Sequence, residues 1–122
     1  MLIKIKNMRL TTKMGVYDWE KDFARELIIN AVLEINGSAP AKTDKIADTV
    51  DYDFVINLIK DHIANNYHQL LEKMVGDILD KIMINPLIKS ASLEIDKVGV
   101  YDFVESFSVS DIRKNNHDSI NR

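Results

Sequence analysis

The chain has 122 residues, 46% apolar and 29% charged, with a formal net charge of −3, which fits one domain with a modest core. The lack of cysteine excludes disulfides, thiolate nucleophiles and thiolate metal sites. Near-neutral charge without a basic stripe argues against nucleic acid. With no leader-like start and no apolar window of membrane length, a cytoplasmic protein with no membrane partner is the default expectation.

Residues 2–10 alternate Ile3 and Ile5 against Lys4 and Lys6, then change parity to Met8 and Leu10, which predicts a first strand with a bulge near Asn7. From Glu26 to Ile35 every odd position is apolar, and Asn36-Gly37 supplies turn chemistry, so a second strand is expected to form a hairpin with the first. The polar segment Ser38–Thr49, with Pro40, reads as a connection.

Asp51 is placed to cap a helix with Phe54, Val55, Leu58, Ile59 and Ile63 at helical spacing, ending at Asn65-Asn66. A second helix follows at once, its wide apolar face made of Leu70, Leu71, Met74, Val75, Ile78, Leu79 and Ile82, stopped by Asn85-Pro86. Ala91, Leu93 and Ile95 alternate as a third strand, and Phe103–Ile112 as a fourth. Residues 1–113 form one domain in this reading, and 114–122 a polar, frayed tail. The order is strand, strand, helix, helix, strand, strand: an α+β antiparallel sheet with two helices on one face. Its open edges favour self-association into a barrel.

Several residues are candidates for chemistry. Lys97 continues the Ala91, Leu93, Ile95 face, so it either loses water and becomes a proton shuttle or snorkels from a strand end. Glu72 opens the second helix, where the helix dipole alone would justify it, yet a carboxylate there can also bind an amino-pyrimidine edge. Tyr52 enters the first helix as packing or as a proton donor. Glu20 is either a solvated loop charge or a ligand contact. Trp19, beside it, reads as a packing or interface anchor, and Met74, Met83 and Phe54 as core filling. His62, His68 and His117 form no His-x-His or His-Glu-x-x-His pattern, so no metal ligands are assigned and a zinc site is not expected.

Gly15-Val16-Tyr17-Asp18-Trp19-Glu20, Thr43-Asp44, Asp48-Thr49-Val50-Asp51-Tyr52, Leu70-Leu71-Glu72 and Glu94-Ile95-Asp96-Lys97 together resemble the dihydroneopterin aldolase family across nearly the whole chain. The resemblance implies the tunnelling fold, in which four subunits close their hairpins into a barrel. Two rings commonly stack into a homo-octamer, and the active site lies between adjacent subunits.

It further implies a small-molecule pterin substrate, held by Glu72 and the backbone of Leu71 and Val50, with Tyr52 from the neighbouring subunit. Glu20 faces the polyol side chain. Lys97, aided by a water, acts as general acid and base on the 2′-hydroxyl, and Tyr52 helps return a proton. The implied reaction is a lyase step in folate biosynthesis, cutting 7,8-dihydroneopterin into 6-hydroxymethyl-7,8-dihydropterin and glycolaldehyde. No cofactor, metal or Schiff base is needed, since the dihydropterin imine accepts the electrons itself.

Two departures from the family pattern stand out. Val98 follows Lys97 where a proline is common, and Arg25-Glu26 replaces a frequent glutamine. The related dihydroneopterin triphosphate 2′-epimerases also carry a non-proline residue after Glu-Ile-Asp-Lys, so epimerisation is the alternative activity, with Lys13, Lys21 and Arg25 as candidate triphosphate cations. From another class, a non-catalytic pterin-binding oligomer would not need Glu20, Tyr52, Glu72 and Lys97 together. Relatives of the fold that rely on zinc or cysteine lack their ligands or nucleophile here.

Overall fold

Alternating apolar residues build the two central strands of the sheet, and a computed structural model describes residues 1–115. Strand β1 (Leu2–Thr12) pairs antiparallel with β2 (Arg25–Ile35), from Leu2 opposite Glu34 to Thr12 opposite Arg25. The expected bulge is at Asn7, which adopts a left-handed φ of 54° and donates its backbone N–H to Asn30 Oδ1 at 2.9 Å. Asparagine tolerates that conformation better than most residues. The register slips between Ile5 and Met8, so Ile3, Ile5, Met8 and Leu10 all reach the core despite the parity change.

The Ser38–Thr49 connection is more ordered than expected. It contains a short helix, α1 (Ser38–Thr43), and a 3-10 turn at Ile46–Asp48. Pro40 lies in the first turn of α1, where no intrahelical N–H is needed, and its carbonyl accepts the N–H of left-handed Asp44 at 3.0 Å. Thr43 Oγ1 donates to Asp48 Oδ2 at 2.5 Å and closes the segment on itself.

Helix α2 (Tyr52–Asn65) starts at the expected cap, with the Asp51 side chain accepting the Asp53 N–H at 3.0 Å. It buries Val55, Ile59, His62 and Ile63. Phe54 is not core: it lies in the first turn at the margin of that face and is 63% exposed. Helix α3 (Leu71–Ile82) buries Leu71, Met74, Val75, Ile78, Leu79 and Ile82. Leu70 is an extended N-cap residue outside the stripe and is exposed, so that part of the expected face is also corrected.

Strands β3 (Ile88–Tyr101) and β4 (Val104–Lys114) complete a four-stranded antiparallel sheet in the order β1-β2-β3-β4. Phe103 is in the turn before β4, and Lys114, expected in the frayed tail, pairs with Ser90 as the end of the strand. Residues 116–122 lie outside the described residues. Helix α3 packs on β3 and β4, and α2 on β1 and α3. The core is the layer between them and the row Leu27, Ile29, Ala31, Leu33 of β2 beside Ala91, Leu93, Ile95 of β3.

Removing the α2 cap tests the local reading. Asp51→Ala is expected to lower stability by about 1 kcal/mol, measured as a lower urea midpoint at unchanged slope. An unmoved midpoint would show that the cap contributes nothing.

Candidate active site

The apolar row of β3 ends on a cation. Lys97 lies opposite Leu27 on one side and Phe107 on the other, and only 7% of it is exposed. The snorkelling alternative therefore does not hold. A buried ammonium needs an anion, and Glu20, itself 7% exposed, accepts from Lys97 Nζ through Oε2 at 3.0 Å. Glu20 is thus no solvated loop charge.

Glu20 is delivered by a 3-10 turn, Asp18–Asp22, in the long β1–β2 connection. Its backbone N–H donates to the Tyr17 carbonyl at 3.0 Å, and its Oε1 accepts the Tyr17 N–H at 3.2 Å. Both carboxylate oxygens are therefore committed. Gly15 makes this approach possible: its φ is +137°, and a Cβ there would overlap the Glu20 carboxylate. Gly15 is in turn tied to the α2–α3 connection. Its N–H donates to the His68 carbonyl at 3.0 Å, and its carbonyl accepts the Tyr67 hydroxyl at 2.8 Å.

Burial pushes the Glu20 carboxyl up, but the Lys97 hydrogen bond, the Tyr17 N–H and the charges of Lys97 and Arg25 together hold it below its ordinary value. A carboxyl depressed in the folded state contributes stability above its unfolded value of about 4.3, and that contribution is lost as pH falls through the lower folded value. The Arg25 guanidinium packs over the Trp19 ring at 5.7 Å and donates to the Gly99 carbonyl at 3.1 Å. Tyr17 and Trp19 stack at 6.2 Å, with Phe23 edge-on to Trp19, and all three remain largely exposed.

The remaining expected site residues are distributed differently. Glu72 is exposed in the first turn of α3, next to buried Leu71. That helix start follows His68, whose carbonyl holds Gly15, so Leu71-Glu72 and Gly15–Glu20 share one scaffold. Val50 is buried, and Tyr52 is half exposed at the start of α2. Among the described residues, Tyr52 makes no hydrogen bond to Glu20, Glu72 or Lys97 within the chain.

Sequence patterns missed the Tyr67 clamp on Gly15, which leaves no periodic signal. They also missed a cluster of His62, His68 and Asp77 from α2, the connection and α3, whose ligand-type atoms lie within 4.8 Å of one another. Burial, Lys81 and His68 lower the His62 pKa, with Asp77 acting in the opposite direction.

Gly15→Ala is expected to destabilise the chain by about 1–3 kcal/mol, because it combines a disfavoured backbone angle with loss of the space that the carboxylate fills. Equal urea midpoints for variant and parent would contradict this placement of Glu20.

The chain is 30% identical over 109 residues, 89% of its length and 91% of the relative's, to a dihydroneopterin triphosphate 2′-epimerase of Escherichia coli K12. It is 22% identical over 82 residues, 67% of each chain, to a dihydroneopterin aldolase of the same organism. Its fold is similar, with a TM-score of 0.88 and 19% identity over 93% of this chain and 98% of the other, to that of E. coli dihydroneopterin aldolase in complex with neopterin. Residues 3–110 match the family described as FolB, dihydroneopterin aldolase, and the chain belongs to that family.

Proposed function

We propose that the chain catalyses retro-aldol cleavage of the C1′–C2′ bond in the side chain of a 7,8-dihydropterin, with 7,8-dihydroneopterin as substrate and glycolaldehyde as the departing fragment. The observation that carries this is the buried Lys97–Glu20 pair at 3.0 Å, a proton-handling group fixed in a water-poor place.

In this reading Glu72 and the Leu71 backbone bind the pterin edge, with the Val50 backbone beside it and Tyr52 from an adjacent subunit. Glu20 orients Lys97 and meets the polyol. The amine form of Lys97, reached when Nζ gives up a proton, takes the proton of the 2′-hydroxyl. The C1′–C2′ bond then breaks, its electron pair moves into the C6=N5 imine of the ring, and the C2′–C3′ fragment leaves as an aldehyde. Protonation at C1′, assisted by Tyr52, gives the hydroxymethyl product. The ring acts as electron sink, so neither a Schiff base nor a metal is invoked.

Epimerisation is a second reading. The 30% identity to a triphosphate epimerase over most of both chains and the valine after Lys97 favour it. In that outcome the aldehyde is retained and re-added to its other face. Arg25, half-buried beside Glu20's turn, is the best placed cation for a phosphorylated substrate.

Assembly belongs to the same proposal. β1 and β4 are open sheet edges, Tyr52 and Phe54 are exposed, and Phe54 lines an apolar cavity of about 570 Å³ with Leu58, Ile82 and Ile84. A ring of four chains, alone or stacked as an octamer, would cover these edges and bring Tyr52 to a neighbour's Lys97.

Incubation with dihydroneopterin and with its triphosphate, following glycolaldehyde release and epimer formation, tests the proposal. Lys97→Ala is expected to reduce kcat by about 10²–10⁴-fold while pterin binding persists. Turnover of neither substrate by the parent, or full activity in the variant, would refute it. A monomer in sedimentation would contradict the shared site.

A further inference from the structure

A second group of chemistry-bearing residues lies away from the Glu20–Lys97 pair. His62 sits near the end of α2, His68 in the connection, and Asp77 in the middle of α3. His62 Nε2 and His68 Nε2 are 3.2 Å apart, and His68 Nε2 is 3.5 Å from Asp77 Oδ2. Both histidines are 6% exposed. The other Asp77 oxygen, Oδ1, is held by Lys73 at 3.0 Å, which leaves Oδ2 directed at the histidines.

Proton assignments leave this cluster in conflict. Lys81 Nζ lies 2.7 Å from His62 Nδ1 and, as an ammonium, must donate to it. His62 then carries its proton on Nε2 and donates to His68 Nε2, whose lone pair also faces the Asp77 carboxylate. If His68 instead carries a proton on Nε2 for Asp77, His62 Nε2 must accept, and its Nδ1–H then points at the ammonium. Each assignment leaves one mismatched contact inside a buried group. His68 Nδ1 is also buried without a partner among the described residues.

We propose that His62, His68 and Asp77 bind a zinc-class divalent cation through Nε2, Nε2 and Oδ2. A cation accepts all three lone pairs at once and moves the mismatch among them to Lys81, an exposed side chain that can swing into water, while His68 Nδ1 keeps its proton. Donors about 2.0–2.1 Å from a tetrahedral zinc are about 3.3–3.4 Å apart; His68 Nε2 is already at 3.2 and 3.5 Å from its two partners, and the third pair, within 4.8 Å, closes by a side-chain adjustment. Two imidazoles and one carboxylate favour zinc or cobalt over magnesium or calcium, and a fourth position is left for water.

The cation has no part in bond cleavage. It joins α2, the connection and α3, and the connection carries the His68 carbonyl and Tyr67 hydroxyl that hold Gly15. Its role is to stiffen the support of the turn that presents Glu20.

Tag-free, chelator-treated protein titrated with Co²⁺ provides the test, with Zn²⁺ competition. One Co²⁺ per chain with the visible absorption of a four- or five-coordinate site is expected, displaced by Zn²⁺, with Zn²⁺ raising the Tm of the parent. Asp77→Asn should weaken binding at least tenfold, and His62→Gln with His68→Gln should abolish it. Circular dichroism checks that each variant is folded; should the double variant unfold, the parent spectrum and Asp77→Asn decide. Absence of such a spectrum in the parent, or equal uptake by a folded variant, would overturn the proposal.

Discussion

An ammonium group that has lost nearly all its water must be met by an anion at close range, and in this chain that anion comes from a distant part of the sequence. Lys97 ends the apolar row of β3, and Glu20 reaches it from the β1–β2 connection at 3.0 Å. Removing either partner would leave an unpaired charge in the core, a loss of about 3–5 kcal/mol for buried pairs of this kind. The pair therefore fixes the turn to the sheet and places a proton donor at a defined point.

Everything around the pair serves that approach. Gly15 gives the carboxylate room, Tyr17 binds its second oxygen, and the α2–α3 connection grips Gly15 from the other side. Because the same connection leads directly into Leu71 and Glu72, the start of α3 and the Glu20 turn are held in one frame. The β1 and β4 edges are open in the single chain, and Tyr52 is half-exposed.

Much of the fold is legible in the sequence because burial imposes a period. The β2 row, the parity change at Asn7 and the α3 stripe are visible that way, and the Asp51 cap by its residue type. Phe54 and Leu70 mislead because each is apolar and close to a helical face but lies at a helix end, where the stripe has not begun. The short α1 is hidden because its residues bury nothing, so only capping and a proline in the first turn mark it. Parity places Lys97 on the core face, yet it cannot reveal that a carboxylate 77 positions away in sequence reaches it. The His62–His68–Asp77 cluster is invisible for the same reason: its members come from three segments with no shared spacing.

Relatives named for two activities match the chain, and the proposed chemistry rests on the buried Lys97–Glu20 pair. The charge state of Glu20 is the most direct measure of the pair at the centre of the site. Carboxyl-labelled glutamate followed by NMR through an acid titration should show Glu20 below the ordinary glutamate range in the parent. In Lys97→Met its midpoint should rise, since burial then acts without the facing cation. A Glu20 that titrates at the ordinary value in the parent, and does not move when Lys97 is replaced, would contradict the buried pair.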